Sequence, residues 1–117
     1  SCSSSLSTFN LSFEYVVVKL TCQFTMPGTA GELYPVRFRK QDDDGSRTII
    51  NSTTVIEDWS GLHGASNRDG SIQLIGGQMY SYERLQSEWG GHSVLRQYWK
   101  VEGYHTNYVF MNGISDF

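Results

Sequence analysis

The sequence predicts an all-β domain, an antiparallel sandwich or barrel, and three observations carry that expectation. Apolar and polar residues alternate over short runs, with Phe9, Leu11, Phe13 and Tyr15 set against Asn10, Ser12 and Glu14, the two-residue period of a half-buried strand. Glycine, proline, asparagine and aspartate punctuate the chain between these runs, as they do between the strands of sandwiches and barrels. A chain of 117 residues with 38% hydrophobic and 14% aromatic content has enough material for one core, so residues 1–117 are expected to form a single β-sandwich domain.

The first element has two readings. Its alternation runs on through Val16, Val18, Leu20, Cys22 and Phe24, which fits two strands. Leu6, Phe9 and Phe13 also fall on one face at helical spacing, with Ser3, Ser4 or Ser5 available as N-cap, so a short N-terminal helix followed by a strand fits as well. Leu6, Phe9, Leu11 and Phe13 are more apolar than a free terminus tolerates. They are expected either to pair between two chains, giving a homodimer, or to tuck into the sandwich.

Met26-Pro27-Gly28-Thr29-Ala30-Gly31 is a turn, because proline removes a donor and glycine supplies positive φ. Residues 33–39 read as a strand with Tyr34, Val36 and Phe38 on one face and Arg37 and Arg39 on the other, with Pro35 marking a late start or an edge. Residues 47–56, rich in Thr, Val and Ile, read as its hairpin partner across the polar Asp42-Asp43-Asp44-Gly45-Ser46 turn. Residues 57–70 show no period and hold several glycines, so a long loop carrying Trp59 is expected there. Residues 71–75, 78–85, 94–101 and 108–111 supply four more strands, with Trp99 expected in the core.

Charge and length exclude several functions. A net charge of −3 provides no positive field for nucleic acid or anionic lipid. No apolar run exceeds the four residues of Tyr15 to Val18, far below the roughly 20 residues that cross a bilayer, so neither nucleic-acid binding nor membrane insertion is expected. His63, His92 and His105 lie in separate loops without metal-ligand spacing, and the Asp42 to Asp44 run lacks the closing glutamate of a calcium loop; no metal and no cofactor are expected. Two sequons, at Asn10 and Asn51, are glycan acceptors on a secretory route. Together with the low charge they point to a secreted, extracellular protein. There a Cys2–Cys22 bridge would close a loop of about 20 residues, the alternative being pairing with another chain.

The chemistry points to binding. Trp59 and Trp89 each sit beside an acid and a glycine, in Asp58-Trp59-Ser60-Gly61 and Glu88-Trp89-Gly90-Gly91, a pattern suited to stacking a flat ring on a sugar while a carboxylate takes its hydroxyls. Asp58, Trp59, Tyr80, Tyr82, Glu88 and Trp89 are therefore the candidate ligand-binding residues, and cell-surface glycans or glycoproteins the expected target. A protein-binding effector or toxin-like module is the alternative. Small glycoside hydrolase chemistry, drawing on Glu57, Asp58, Glu83, Glu88 and Glu102, stands third; no catalytic residue is assigned and no enzyme is expected.

Phe9-Asn10-Leu11-Ser12-Phe13-Glu14, followed by Val17-Val18-Lys19-Leu20-Thr21-Cys22-Gln23-Phe24-Thr25-Met26-Pro27, resembles the opening of the fungal immunomodulatory proteins, small secreted lectin-like proteins of mushrooms. Tyr34-Pro35 and Asp69-Gly70-Ser71 stand where that family has Phe-Pro and Asp-Gly-Ser. The chain departs from the pattern by inserting Tyr15, Val16 and Met26 and by lacking the Trp-Gly-Arg-Gly that follows the proline. The resemblance implies an immunoglobulin-like or fibronectin-III-like sandwich and an N-terminal amphipathic helix pairing in a homodimer. It also implies glycan binding with stimulation of immune cells.

Overall fold

The computed structural model describes residues 2–10, 14–42, 45–58, 66–88 and 95–111. Within them lie nine strands: β1 (Cys2–Asn10), β2 (Glu14–Thr25), β3 (Leu33–Asp42), β4 (Ser46–Ile50), β5 (Thr53–Asp58), β6 (Ser66–Ile75), β7 (Met79–Glu88), β8 (Leu95–Val101) and β9 (Val109–Phe110). They form two antiparallel sheets that sandwich one core, in the orders β1-β2-β7-β4-β5 and β6-β3-β8-β9. The fold class read from alternation is thus observed.

Alternation decides which side chains enter the core. Along β3, Tyr34, Val36, Phe38 and Lys40 are buried, while the residues between them face outward or lie half-exposed. Leu20 and Cys22 of β2, Ile50 of β4, Ile56 of β5 and Tyr82 of β7 meet Val36, Phe38, Leu74 and Val101 of the opposite sheet. Each large apolar side chain removed from water contributes about 1.5–3 kcal/mol. Trp99, expected in the core, is half-buried at its margin against Phe24 and Phe38.

Three expectations need correction. Residues 2–10 are a strand paired with β2 from Cys2↔Cys22 to Asn10↔Glu14, so the possible N-terminal helix is replaced by the two-strand reading; cross-strand bonds satisfy a backbone that this short helical face did not specify. Residues 47–56 are themselves a hairpin, β4 and β5, turned at Asn51 (φ 45) and Ser52 (φ 68). Their proposed partner β3 lies in the other sheet. Finally, strands invade both ends of the expected 57–70 loop: β5 runs to Asp58 and β6 begins at Ser66. Gly70 belongs to β6, paired with Phe38 of β3, and the chain passes so close to β5 there that an added Cβ would overlap the Val55 carbonyl oxygen.

Cys22 is disulfide-bonded and nearly fully buried. The chain's other cysteine, Cys2, is its direct register partner. Leu6 and Phe9 lie on β1, at the edge of the five-stranded sheet; Leu11 and Phe13 fall outside the described residues.

The β2 to β3 and β6 to β7 connections pack together at one end of the sandwich. There Met26 N–H donates to Gln78 O (2.8 Å), Gly76 N–H to Glu32 O (2.8 Å) and Gly77 N–H to Met26 O (2.8 Å). The Tyr34 hydroxyl accepts from Thr29 N–H and the Tyr80 hydroxyl from Ile75 N–H, both at 2.8 Å. That end is closed by its own hydrogen bonds.

Candidate functional site

The opposite end is built differently. Ser46 faces Asp58 on one side and Gln86 on the other in the five-stranded sheet, while Asp42 faces Ser66 and Leu95 in the four-stranded one. Lys40 Nζ joins the two rows, donating to Ser46 Oγ (2.6 Å) and Asp58 Oδ2 (3.3 Å). Strands β3, β5 and β7 therefore end on one rim.

Beneath that rim the interior is polar. Lys40, Ser46, Thr48, Asp58, Arg84, Gln86 and Gln97 are all buried. Lys, Arg and Gln read as outward residues in a sequence, so residue type alone does not place these side chains inside. Gln97 Oε1 accepts from the Tyr82 hydroxyl (2.7 Å) and Gln97 Nε2 donates to Arg39 O (3.0 Å). Asp58 Oδ2 also meets Arg68 Nε at 3.5 Å. Both amide atoms of Gln86 are buried without a hydrogen-bond partner among the described residues, an arrangement that costs about 1–3 kcal/mol for a group left unsatisfied. An orphaned donor and acceptor under a rim suit a polar ligand or bound water.

The structure divides the sequence-predicted set. Asp58 and Glu88 end β5 and β7 on this rim. With β4 between those strands, Asp58 lies two strand spacings, about 10 Å, from Gln86. Trp59 and Trp89 are the next residues in sequence and lie outside the described residues. Tyr82 is not at the surface: it is wholly buried with its hydroxyl on Gln97. Tyr80 belongs to the closed end. Asp58 is nearly as enclosed, its carboxylate held by Lys40 and Arg68. Nearness to acids in the sequence does not say which face or end Tyr80 and Tyr82 occupy.

Two further clefts lie among the described residues, the first of them reaching Thr25 at the end of β2 and Pro27 of the β2 to β3 connection. One of about 380 Å³ at the β8–β9 margin is lined by Phe24, Trp99, Tyr104, His105, Val109 and Phe110, among others. His105 Nδ1 accepts from Val101 N–H at 3.0 Å, and partial burial lowers its pKa. The second, of about 270 Å³, sits on the outer face of the four-stranded sheet at Arg37, Asp69, Gly70, Ser71 and Tyr108. Asn51 is exposed on the β4–β5 turn, where its Oδ1 accepts from Ser81 N–H (2.7 Å) and Ser81 Oγ (3.1 Å); Asn10 ends β1.

The fold defines a β-sandwich with one closed end and one polar rim. No family model matches the chain, and no curated protein matches it significantly. Among solved structures it is similar to a PA14 sugar-binding domain from an RTX adhesin, with 32% identity and a TM-score of 0.61, covering 83% of this chain and 51% of that one. An anti-sigma factor domain-containing protein from Clostridium clariflavum matches with 21% identity and a TM-score of 0.62 over 81% of this chain and 30% of that one. Beta-glucosidase from Kluyveromyces marxianus matches with 20% identity and a TM-score of 0.59 over 74% of this chain and 11% of that one. The last two share the fold, and the chain spans about half or less of the length of each of the three.

Proposed function

We propose that this domain binds carbohydrate without catalysis, at the rim where β3, β5 and β7 end, as part of a secreted protein directed at cell-surface glycans or glycoproteins. The observation that carries the proposal is the polar interior under that rim, above all the Gln86 amide, which is buried with no hydrogen-bond partner among the described residues. A sugar offers many hydroxyls, each a donor and an acceptor, and buried amides reward such a ligand strongly because their alternative is no partner at all. The flat rings that would take its apolar face are Trp59 and Trp89, each directly following a strand that ends on the rim. Similarity to the PA14 sugar-binding domain supports the same reading. Asp58, engaged by Lys40 and Arg68, is poorly placed for the proton transfers of glycoside hydrolysis, which supports binding over cleavage.

A glycan array read with wild type, Trp59→Ala and Trp89→Ala tests the proposal. At least one glycan class should bind, with affinity falling about tenfold or more in one tryptophan variant. Absence of binding to every glycan, or binding unaffected in both variants, would overturn it.

The second reading, capture of a partner protein, is favoured by the exposed Tyr104, Val109 and Phe110 beside the β9 margin. Aromatic residues at an exposed sheet edge are common anchors of protein interfaces. A pull-down lost in Phe110→Ser with glycan binding retained would support this reading.

A further inference from the structure

The outer face of the four-stranded sheet carries a pattern that sheet stability does not explain. Register sets Arg37 opposite Ser71 on β6 and Lys100 on β8, and the next outward position, Arg39, opposite Asp69 and Tyr98. Arg39 is fully employed. It donates to Asp69 through Nε (2.7 Å) and an Nη (3.0 Å), while its guanidinium lies 4.0 Å from the centre of the Tyr108 ring. Its hydrogen bond holds the Asp69 carboxyl below its ordinary range.

Arg37 and Lys100 are like charges on directly facing positions, an unfavourable cross-strand pair. Both lean on one carboxylate, Glu102, at 3.4 and 3.7 Å. Arg37, Arg39 and Lys100 thus face only Asp69 and Glu102 across this patch, leaving a local positive excess among the described residues of a chain whose net charge is −3. The Arg37 side chain is 60% exposed and lines the 270 Å³ cleft with Asp69, Gly70, Ser71 and Tyr108.

We infer that this cleft is a second ligand site, separate from the rim, that takes an acidic sugar residue. Arg37 receives the anionic group, since a guanidinium presents paired planar donors to carboxylate or sulfate oxygens. The Tyr108 ring, held by Arg39, forms a flat wall for the apolar face of a pyranose. Ser71 and Asp69 take hydroxyls. Asp69 also disfavours a bare inorganic anion, which would meet a carboxylate with nothing to donate to it.

The test is titration of the isotopically labelled protein with methyl β-glucuronide, glucose 6-sulfate and neutral methyl β-glucoside, followed by backbone amide shifts. At least one acidic sugar should bind about tenfold more tightly than the neutral one, shifting the amides of Arg37, Ser71 and Lys100 but not those of Asp58 or Gln86. That preference should weaken at high salt and vanish in Arg37→Gln, an exposed substitution checked for folding by its unchanged amide spectrum elsewhere. The two acidic sugars separate a carboxylate from a sulfate preference. Equal affinity for acidic and neutral sugars, binding of none of them, a preference surviving Arg37→Gln, or shifts confined to the rim would each overturn the inference. The last result would leave rim binding standing, and failure at the rim alone would leave this site intact.

Discussion

Lys40 of β3 and Asp58 of β5, which belong to opposite sheets, meet at 3.3 Å inside the sandwich with side-chain exposures of 0% and 4%. The contact joins the two layers directly below the rim where ligand binding is proposed, and it makes the rim's geometry depend on a buried charge pair.

Loss of either partner should therefore be costly, and unequally so. Asp58→Ala takes a carboxylate away from the buried Lys40 ammonium and should destabilise by about 3–5 kcal/mol. Lys40→Met should cost less, because Asp58 keeps Arg68 Nε at 3.5 Å. The double variant Lys40→Met/Asp58→Ala should recover much of the loss. Urea unfolding of the four proteins measures the coupling; additive losses would show that the pair does not act as a unit.

Gln86→Met should leave stability unchanged or raise it by about 1 kcal/mol, since it replaces an unsatisfied buried amide with an apolar chain of similar length. A loss greater than that in chemical denaturation would mean the amide is satisfied in solution. The same variant should weaken binding at the rim.

Burial pushes the Tyr82 phenol up to about 12, against an ordinary value of 10.0. The folded protein therefore holds this proton more tightly than the unfolded chain does. Its contribution is fully present below pH 10 and is lost as pH rises from there to about 12. Tyr82→Phe should remove that part of the alkaline decline. It should also cost about 0.5–1.5 kcal/mol at neutral pH through the lost bond to Gln97. Unfolding midpoints of both proteins between pH 9 and 12 check the two effects together.

Gly70→Ala should destabilise by about 1–3 kcal/mol. Its Cβ would meet the Val55 carbonyl oxygen and stand 2.9 Å from Ile56 Cγ1, forcing β5 and β6 apart where the sheets approach. Thermal unfolding is sufficient; a midpoint equal to wild type would show that this margin yields freely.

The disulfide at Cys22 closes a loop of about 20 residues if its partner is Cys2, which should contribute about 3 kcal/mol on the chain-entropy model. Reductant should lower the urea midpoint accordingly. Non-reducing peptide mapping identifies the partner, and a crosslink to a second chain would replace the loop-closure account.

Strands 33–39, 71–75 and 78–85 were legible because one face of each is apolar or aromatic at alternate positions. The β4–β5 hairpin was hidden because Thr and Ile continue across Asn51-Ser52, and no glycine marks the turn that both residues make with positive φ. Gly70 read as a loop residue because composition shows its flexibility and not the carbonyl pressed against it. At the candidate site, the sequence brought Asp58 and Glu88 forward as ligand-binding residues, and both end strands on the rim. It misplaced Tyr82, and it passed over Gln86 and Lys40, whose polar side chains imply solvent wherever a second sheet is not known to cover them.

By itself the sequence determined that this chain folds as layered antiparallel strands around one core, since residue alternation is a local property that any extended segment must express. Only the tertiary structure decided which strands share a sheet, which polar side chains are enclosed and which strand ends gather on one rim. Those are relations between segments far apart in the chain, set by how two twisted sheets close on each other, and no local period records them.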